Sequence, residues 1–279
     1  MPNGFSTLRG QLLLIGFALL ACAFALVPIL WGVVTALKPT SQVLSYPPSW
    51  WPDPVTFQHF VSVWTQSAFP RFFLNSIIVT GTSSVLALVI ATHAAYGLAR
   101  FDFAGKTALM IGILATSMIP GIAILVPLYN LAIHTGLYNT YFAMVLVYTA
   151  WEIPLLLWLL KGFFEKVPVE LEEAALVDGA SRLRAFYLIA LPMARPGLLA
   201  GGILNMVFVW NDFLIGFTLT LDDAHRPLPV GLYSFISNIG IDWGPLMAAT
   251  VMAIVPILVA FLLLQRFLVE GLMAGAVKG

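Results

Sequence analysis

Six stretches of this chain are long and apolar enough to cross a lipid bilayer, and they limit every other reading of it. They fall at about 12–36, 72–98, 108–131, 141–160, 196–221 and 246–267. Spanning the hydrocarbon core takes roughly 20 mostly apolar residues at a rise of about 1.5 Å each. The whole chain is 60% hydrophobic and 9% charged, far from the roughly 25% charge of a soluble domain. Each stretch also carries Gly, Pro, Ser or Thr, the small residues that let helices approach closely in lipid. The predicted class is therefore all-α: a polytopic membrane protein of six transmembrane helices. The first stretch follows Arg9 as a secretory signal would, but it is too long for the roughly 7–15-residue core of such a signal. It reads as a retained helix. Cys22, alone within it, offers neither a disulfide nor a metal cluster and reads as a small hydrophobe.

Basic residues set the expected orientation. With six spans and both termini on one side, that side receives Arg9, Arg100, Lys106, Lys161, Lys166, Arg182, Arg184, Arg195, Arg266 and Lys278. The other side receives only Lys38, Arg71 and Arg226. The imbalance predicts cytoplasmic termini by the positive-inside rule. A net charge of zero and the lack of a basic patch with interleaved aromatics give no sign of a nucleic-acid partner. Outside, 38–71 is rich in Pro and Trp ("YPPSWWPDP") and reads as a folded strap, with 222–245 as a second external segment.

Charge is concentrated in one place. Residues 161–195 hold ten of the 26 Lys, Arg, Asp and Glu residues of the chain. Within this cytoplasmic loop Pro168 suits the first turn of a helix, and Glu170, Glu172 and Glu173 sit near its positive dipole end. Gly179 supplies a stop, and Ser181 can cap a second short helix ending before Pro192. One turn of spacing places Glu170, Glu173 and Val177 on a shared face beside Ala174. Such a small, acidic, partly apolar surface suits a groove of another protein. Composition alone equally allows a solvated amphipathic loop.

Spacing adds to this. Glu173-Ala174-Ala175, then Gly179, Ile189 and Leu191-Pro192 form the "EAA" signature of ATP-binding-cassette (ABC) importer permeases, and the chain resembles that family over nearly its whole length. "YPPSWWPDPVTFQHF", "NSIIVT", "AAYGLARFDFAGK", "WNDF" and "GAVKG" are similar to segments of its carbohydrate-uptake branch, that of the second permease subunit of the maltose importer. The resemblance implies a type I importer fold in a single permease domain, 1–279, with an N-terminal helix at 12–36 and core helices over 72–267. It further implies that the loop at 165–195, with Glu170, Glu173, Ala174, Ala175, Val177, Asp178 and Gly179, docks into a cytoplasmic ATPase. The implied partners are a second permease subunit, two ABC ATPase subunits, an extracytoplasmic solute-binding protein and membrane lipid. No cofactor is expected in this chain itself, ATP and Mg being bound by the ATPase. The implied location is a bacterial cytoplasmic (inner) membrane, with the chain multi-pass and both termini cytoplasmic.

Other motifs bear on chemistry. "AGKT" at 104–107 lacks the first glycine of a phosphate-binding loop, since Arg100 stands there, so the chain is not expected to hydrolyse ATP. An Asp at mid-helix costs about 2.5–3.5 kcal/mol on insertion scales, so an intramembrane carboxylate faces a partner or a wet cavity. Glu152 in "AWEIPLL" and Asp212 in "VWNDFL" are such residues, each beside an aromatic ring. Rings cover the C–H face of a sugar while carboxylates and amides bond its hydroxyls. Trp151, Glu152, Trp210, Asn211 and Asp212 are thus candidates for the substrate path, with Tyr129 and Asn130 as further lining. For Asp212 an interhelical bond that holds the bundle together is an equal alternative. His93 reads as a neutral, hydrogen-bonded packing residue. No Cys/His cluster has metal spacing, and no motif places a nucleophile beside a base. The function expected is an ATP-driven importer subunit for a sugar, oligosaccharide or related polyol. Glycerol-3-phosphate-type cargo remains an alternative, as does an ion-coupled secondary transporter using Glu152 or Asp212.

Overall fold

A computed structural model describes residues 8–237 and 240–276. In chain order its helices are α1 (Leu8–Ala36), α2 (Thr40–Val43), α3 (Gln58–Gln66), α4 (Phe69–Arg100), α5 (Lys106–Ser117), α6 (Gly121–His134) and α7 (Tyr141–Phe164). There follow α8 (Val169–Val177), α9 (Arg182–Ala185), a π turn (Phe186–Ala190), α10 (Leu191–Met193), α11 (Arg195–Asn211), α12 (Leu214–Leu219) and α13 (Leu228–Leu232). A two-residue antiparallel hairpin, β1 (Ile236–Ser237) with β2 (Gly240–Ile241), precedes α14 (Trp243–Ala276). The chain forms two compact units. One gathers the chain through Phe69 with Leu232–Ile254, the other Pro70–Gly231 with the chain from Val255.

Four helices are long and apolar enough to cross a membrane: Gly10–Ala36, Phe69–Arg100, Tyr141–Phe164 and Trp243–Leu263. Two bent pairs qualify when each is taken as one span, which makes six. In the first unit, the most apolar window of α1 has no buried residue at all, the condition of a helix solvated by lipid.

The expected third and fifth spans are broken rather than continuous. The third divides into α5 and α6, bent by 90°. Pro120, at the N-cap of α6, lacks the N–H that would carry the ladder through and turns the preceding residue away from helix. The fifth ends as a regular helix at Asn211, and α12 begins a separate turn at Leu214. The second short cytoplasmic helix also differs from expectation, because it runs past Pro192 to Met193 instead of stopping before it. The π turn at Phe186–Ala190 widens the coil just ahead of Pro192, whose ring would otherwise meet the carbonyl four residues back. Pro168 takes the N-cap of α8, one place before the first turn.

The second unit packs through small residues. Ala87, Ala91 and Ala95, one turn apart on α4, meet Leu156, Leu160 and Phe164 of α7 and Phe186, Ala190 and Ala194. On α11, a Cβ placed on Gly197 would lie 2.3 Å from Phe163 Cγ, so only glycine allows this approach to α7. Asn75 and Ser76, the start of "NSIIVT", hold the outer loop of the same unit. The Asn75 amide donates to the carbonyls of Ala224 (3.2 Å) and Arg226 (2.8 Å), while its oxygen accepts from Tyr141 O–H at 2.6 Å. Ser76 Oγ accepts from the N–H of Leu228 at 2.7 Å. The last residues of "GAVKG", 277–279, lie outside the described residues.

Candidate functional site

The charged loop folds into a capped, anchored helix. The N–H of Gly179 bonds the Leu176 carbonyl (3.1 Å) and the N–H of Ala180 bonds that of Ala175 (2.9 Å). These two bonds make a Schellman cap, which requires its C′ residue in the left-handed region. Gly179 supplies it, with φ +89°. The fixed distance between Ala175 and Gly179 in the signature is therefore the distance from the third-last helical residue to its cap. Ser181 caps α9, its side chain accepting from the N–H of Arg184 at 3.3 Å. Glu170, Glu173, Ala174 and Asp178 are exposed, Ala175 is half-buried, and Val177 is 87% exposed. Val169, Leu171, Leu183 and Leu188 add exposed apolar side chains around this acidic face.

One residue that spacing did not single out holds the loop in place. Glu172 is buried on the side opposite Glu170 and Glu173. Its Oε1 accepts from Arg100 Nε at 2.7 Å and its Oε2 from Tyr96 O–H at 2.6 Å. Arg100 also donates to the Val167 carbonyl at 2.9 Å. Both charged side chains are 8% exposed, so α8 is tied to the last turn of α4 by a desolvated, fully bonded pair. Two features signalled it: Glu172 falls off the exposed stripe, and Arg100 closes a long apolar helix. Nearby, His93 behaves as expected. Its Nδ1 bonds the Val89 carbonyl (2.8 Å) and its Nε2 the Tyr187 hydroxyl (2.9 Å), which a neutral ring satisfies as donor and acceptor.

Within the same unit, Glu152 and Asp212 face one small cavity of about 110 Å³. Tyr148, Trp151 and Glu152 come from α7, Gly121, Ile124 and Leu125 from α6, and Phe208 and Val209 from α11. Asp212 does not sit on the fifth helix but at its break, with extended backbone (φ −69°, ψ 129°). Its Oδ1 accepts from Tyr148 O–H (2.8 Å) and from the N–H of Ile215 (2.9 Å), so it joins α7 to α11 and supports the start of α12. Among the described residues no hydrogen-bond donor reaches the Glu152 carboxylate. The other candidates lie outside the lining. Trp210 is buried edge-on against Phe73 at 5.8 Å, and Asn211 donates to the Val207 carbonyl at 2.7 Å. Tyr129 packs on Tyr138 at 5.2 Å, and the Asn130 carbonyl accepts from His134. "WNDF" thus encodes a helix break, with Phe213 stacked on Phe217 beyond it.

Broken spans around an intramembrane carboxylate pair, together with an anchored loop between spans, define a multi-pass membrane permease. The chain belongs to the family of binding-protein-dependent transport system inner membrane components, which it matches over residues 83–273. It is 35% identical over 252 residues to the diacetylchitobiose uptake system permease protein DasC of Streptomyces coelicolor, covering 90% of this chain and 91% of that one. It is 36% identical over 262 residues to the trehalose transport system permease protein SugB of Mycobacterium tuberculosis, covering 93% and 95%. Its fold is shared with a crystal structure of a bacterial ABC transporter involved in the import of the acidic polysaccharide alginate. That likeness has a TM-score of 0.80 at 22% identity and covers 95% of this chain and 99% of that one. The chain is thus an inner-membrane, multi-pass permease component of a binding-protein-dependent transport system. Dependence on a binding protein sets aside the ion-coupled alternative.

Proposed function

We propose that this chain is one transmembrane subunit of an ATP-driven importer for a sugar, oligosaccharide or related polyol, with both termini in the cytoplasm. The observation that carries the reading is α8: an acidic, apolar-edged helix end, capped at Gly179 and tied through Glu172 to α4. Two ATPase subunits dock on such loops and bind the ATP and Mg. When they close on nucleotide, α8 moves with the cytoplasmic end of α4, and the cavity changes sides. An extracytoplasmic binding protein delivers the cargo.

The cargo class is supported by the diacetylchitobiose and trehalose systems of the two relatives and by the cavity's chemistry. Trp151 offers a ring face, and Glu152 an acceptor with no protein donor on it. No Lys or Arg lines this cavity, which disfavours a phosphorylated cargo. At about 110 Å³ it is well below the roughly 300–1,000 Å³ of a ligand site, so a second permease subunit supplies the remaining wall. The test is reconstitution with partner subunits and binding protein in proteoliposomes. ATP hydrolysis stimulated by trehalose or diacetylchitobiose, and not by glycerol 3-phosphate, is the expected result. Stimulation by glycerol 3-phosphate alone would overturn the cargo class.

A further inference from the structure

We propose that α3 and the Trp50–Trp51 strap form an interfacial anchor, seated in the headgroup layer of the bilayer where α4 enters it. The helix has three faces. His59 and Val63 are buried against the first unit, while Gln58, Ser62, Thr65 and Gln66 form a polar arc. Phe57, Val61 and Trp64, at i, i+4 and i+7, form a third stripe that protein leaves bare, with exposures of 63%, 57% and 50%. The apolar arc is thus about twice as wide as the part the protein covers, the pattern of a helix lying at a lipid boundary.

Chain connectivity fixes the depth of this stripe. Only Ser67 and Ala68 separate α3 from the membrane helix α4. The Ser67 hydroxyl donates to the Val63 carbonyl at 2.6 Å and accepts from the N–H of Phe69 at 3.1 Å, so the joint is short and bonded on both sides. The Trp64 ring lies 6.0 Å from that of Phe69, the first residue of the span. At about 3.3–3.6 Å per residue such a joint holds the end of α3 within roughly 10 Å of the span. The strap reaches the same level from the other side. Trp50 packs edge-on against Trp31 of α1 at 4.9 Å, and Lys38 lies 4.4 Å over that Trp31 ring. Trp51 and Tyr46 beside it are 81% and 96% exposed. Tryptophan and tyrosine concentrate at this depth because one end of each ring is apolar and the other polar. No Lys, Arg, Asp or Glu falls between Asp53 and Arg71, so seating the stripe desolvates no charge.

The occupant is lipid, and the test measures it directly in the assembled transporter. In a Cys22→Ser background, single cysteines at Val61, Trp64 and Thr65 are labelled with an environment-sensitive fluorophore. The complex is reconstituted into vesicles whose phospholipids carry spin labels near the headgroup or deep in the acyl chain. Positions 61 and 64 should show blue-shifted emission and roughly twofold or greater quenching by the shallow label over the deep one, with Thr65 unquenched. All three side chains are exposed, so their replacement leaves the packing intact. Equal, water-like emission at the three positions would overturn the proposal. So would a shift at 61 and 64 that appears only on addition of loaded binding protein, since that protein would then be the occupant. Because the spin labels occupy both leaflets, the outcome does not depend on the orientation proposed above.

Discussion

Glu172→Gln is the most informative single change in the cytoplasmic loop. The substitution keeps the side chain's shape and leaves a neutral acceptor for Arg100 and Tyr96, but it strands the Arg100 guanidinium, 8% exposed, beside no opposite charge. Removing one partner of a buried ion pair costs about 3–5 kcal/mol, and retained neutral hydrogen bonds put Glu172→Gln near the lower end. At about 1.4 kcal/mol per tenfold, the seated population of α8 falls by roughly 10²-fold or more. The loss falls on the loop, since the α4–α7 packing of Ala87, Ala91 and Leu160 does not involve the pair. Hydrogen exchange over 165–181 should therefore accelerate while α4 and α7 stay protected, and the ATPase should co-purify in reduced yield. A buried pair can often be replaced by apolar residues without loss, so Arg100→Met with Glu172→Leu should restore protection and yield. Wild-type exchange and a full complement of ATPase in Glu172→Gln would refute the anchoring role.

Within the cavity, Glu152→Gln should lower sugar uptake with a near-normal yield of complex. Asp212→Asn should lower both, because Asp212 also bonds Tyr148 and the N–H of Ile215; uptake and purification yield separate the two residues. At Gly179, φ +89° orders the replacements Asn above Ala above Val for ATPase recruitment. A left-handed residue with a Cβ carries a penalty of about 1–2 kcal/mol, which recruitment assays will resolve. Gly197→Ala should destabilise the bundle by about 1–3 kcal/mol, read as a lower melting temperature in detergent, because its Cβ would meet Phe163 at 2.3 Å. Phe163→Leu should recover part of that loss.

The six apolar stretches were legible because length and hydropathy act locally, and the ends of α8 because Pro168, Gly179 and Ser181 act within a turn of themselves. What escaped the reading depends on distant partners. Glu172 and Arg100 are 72 residues apart, and no periodicity joins them. The break at Asp212 looked like continuous helix, because "WNDFLIGF" contains no proline or second glycine; the carboxylate's bonds to Tyr148 and Ile215 hold the chain open there. Trp210 and Asp212 are near neighbours in sequence, but the backbone turn between them directs only the carboxylate into the cavity. The π turn before Pro192 and the two-residue strands 236–237 and 240–241 are too short to leave a periodic signal.

The proposal that α8 is the docking element for an ATPase is tested most directly through Glu173, which is exposed beside Ala174 and takes no part in the Arg100 anchor. Glu173→Lys reverses the charge presented to the ATPase without disturbing the cap at Gly179 or the tie to α4. The measurement is co-purification of the ATPase with the assembled permease pair, followed by hydrolysis with and without loaded binding protein. The expected result is an intact, inserted permease pair that recruits less ATPase and loses the stimulation. A full complement of ATPase with normal stimulated turnover would contradict the assignment of this loop as the coupling element.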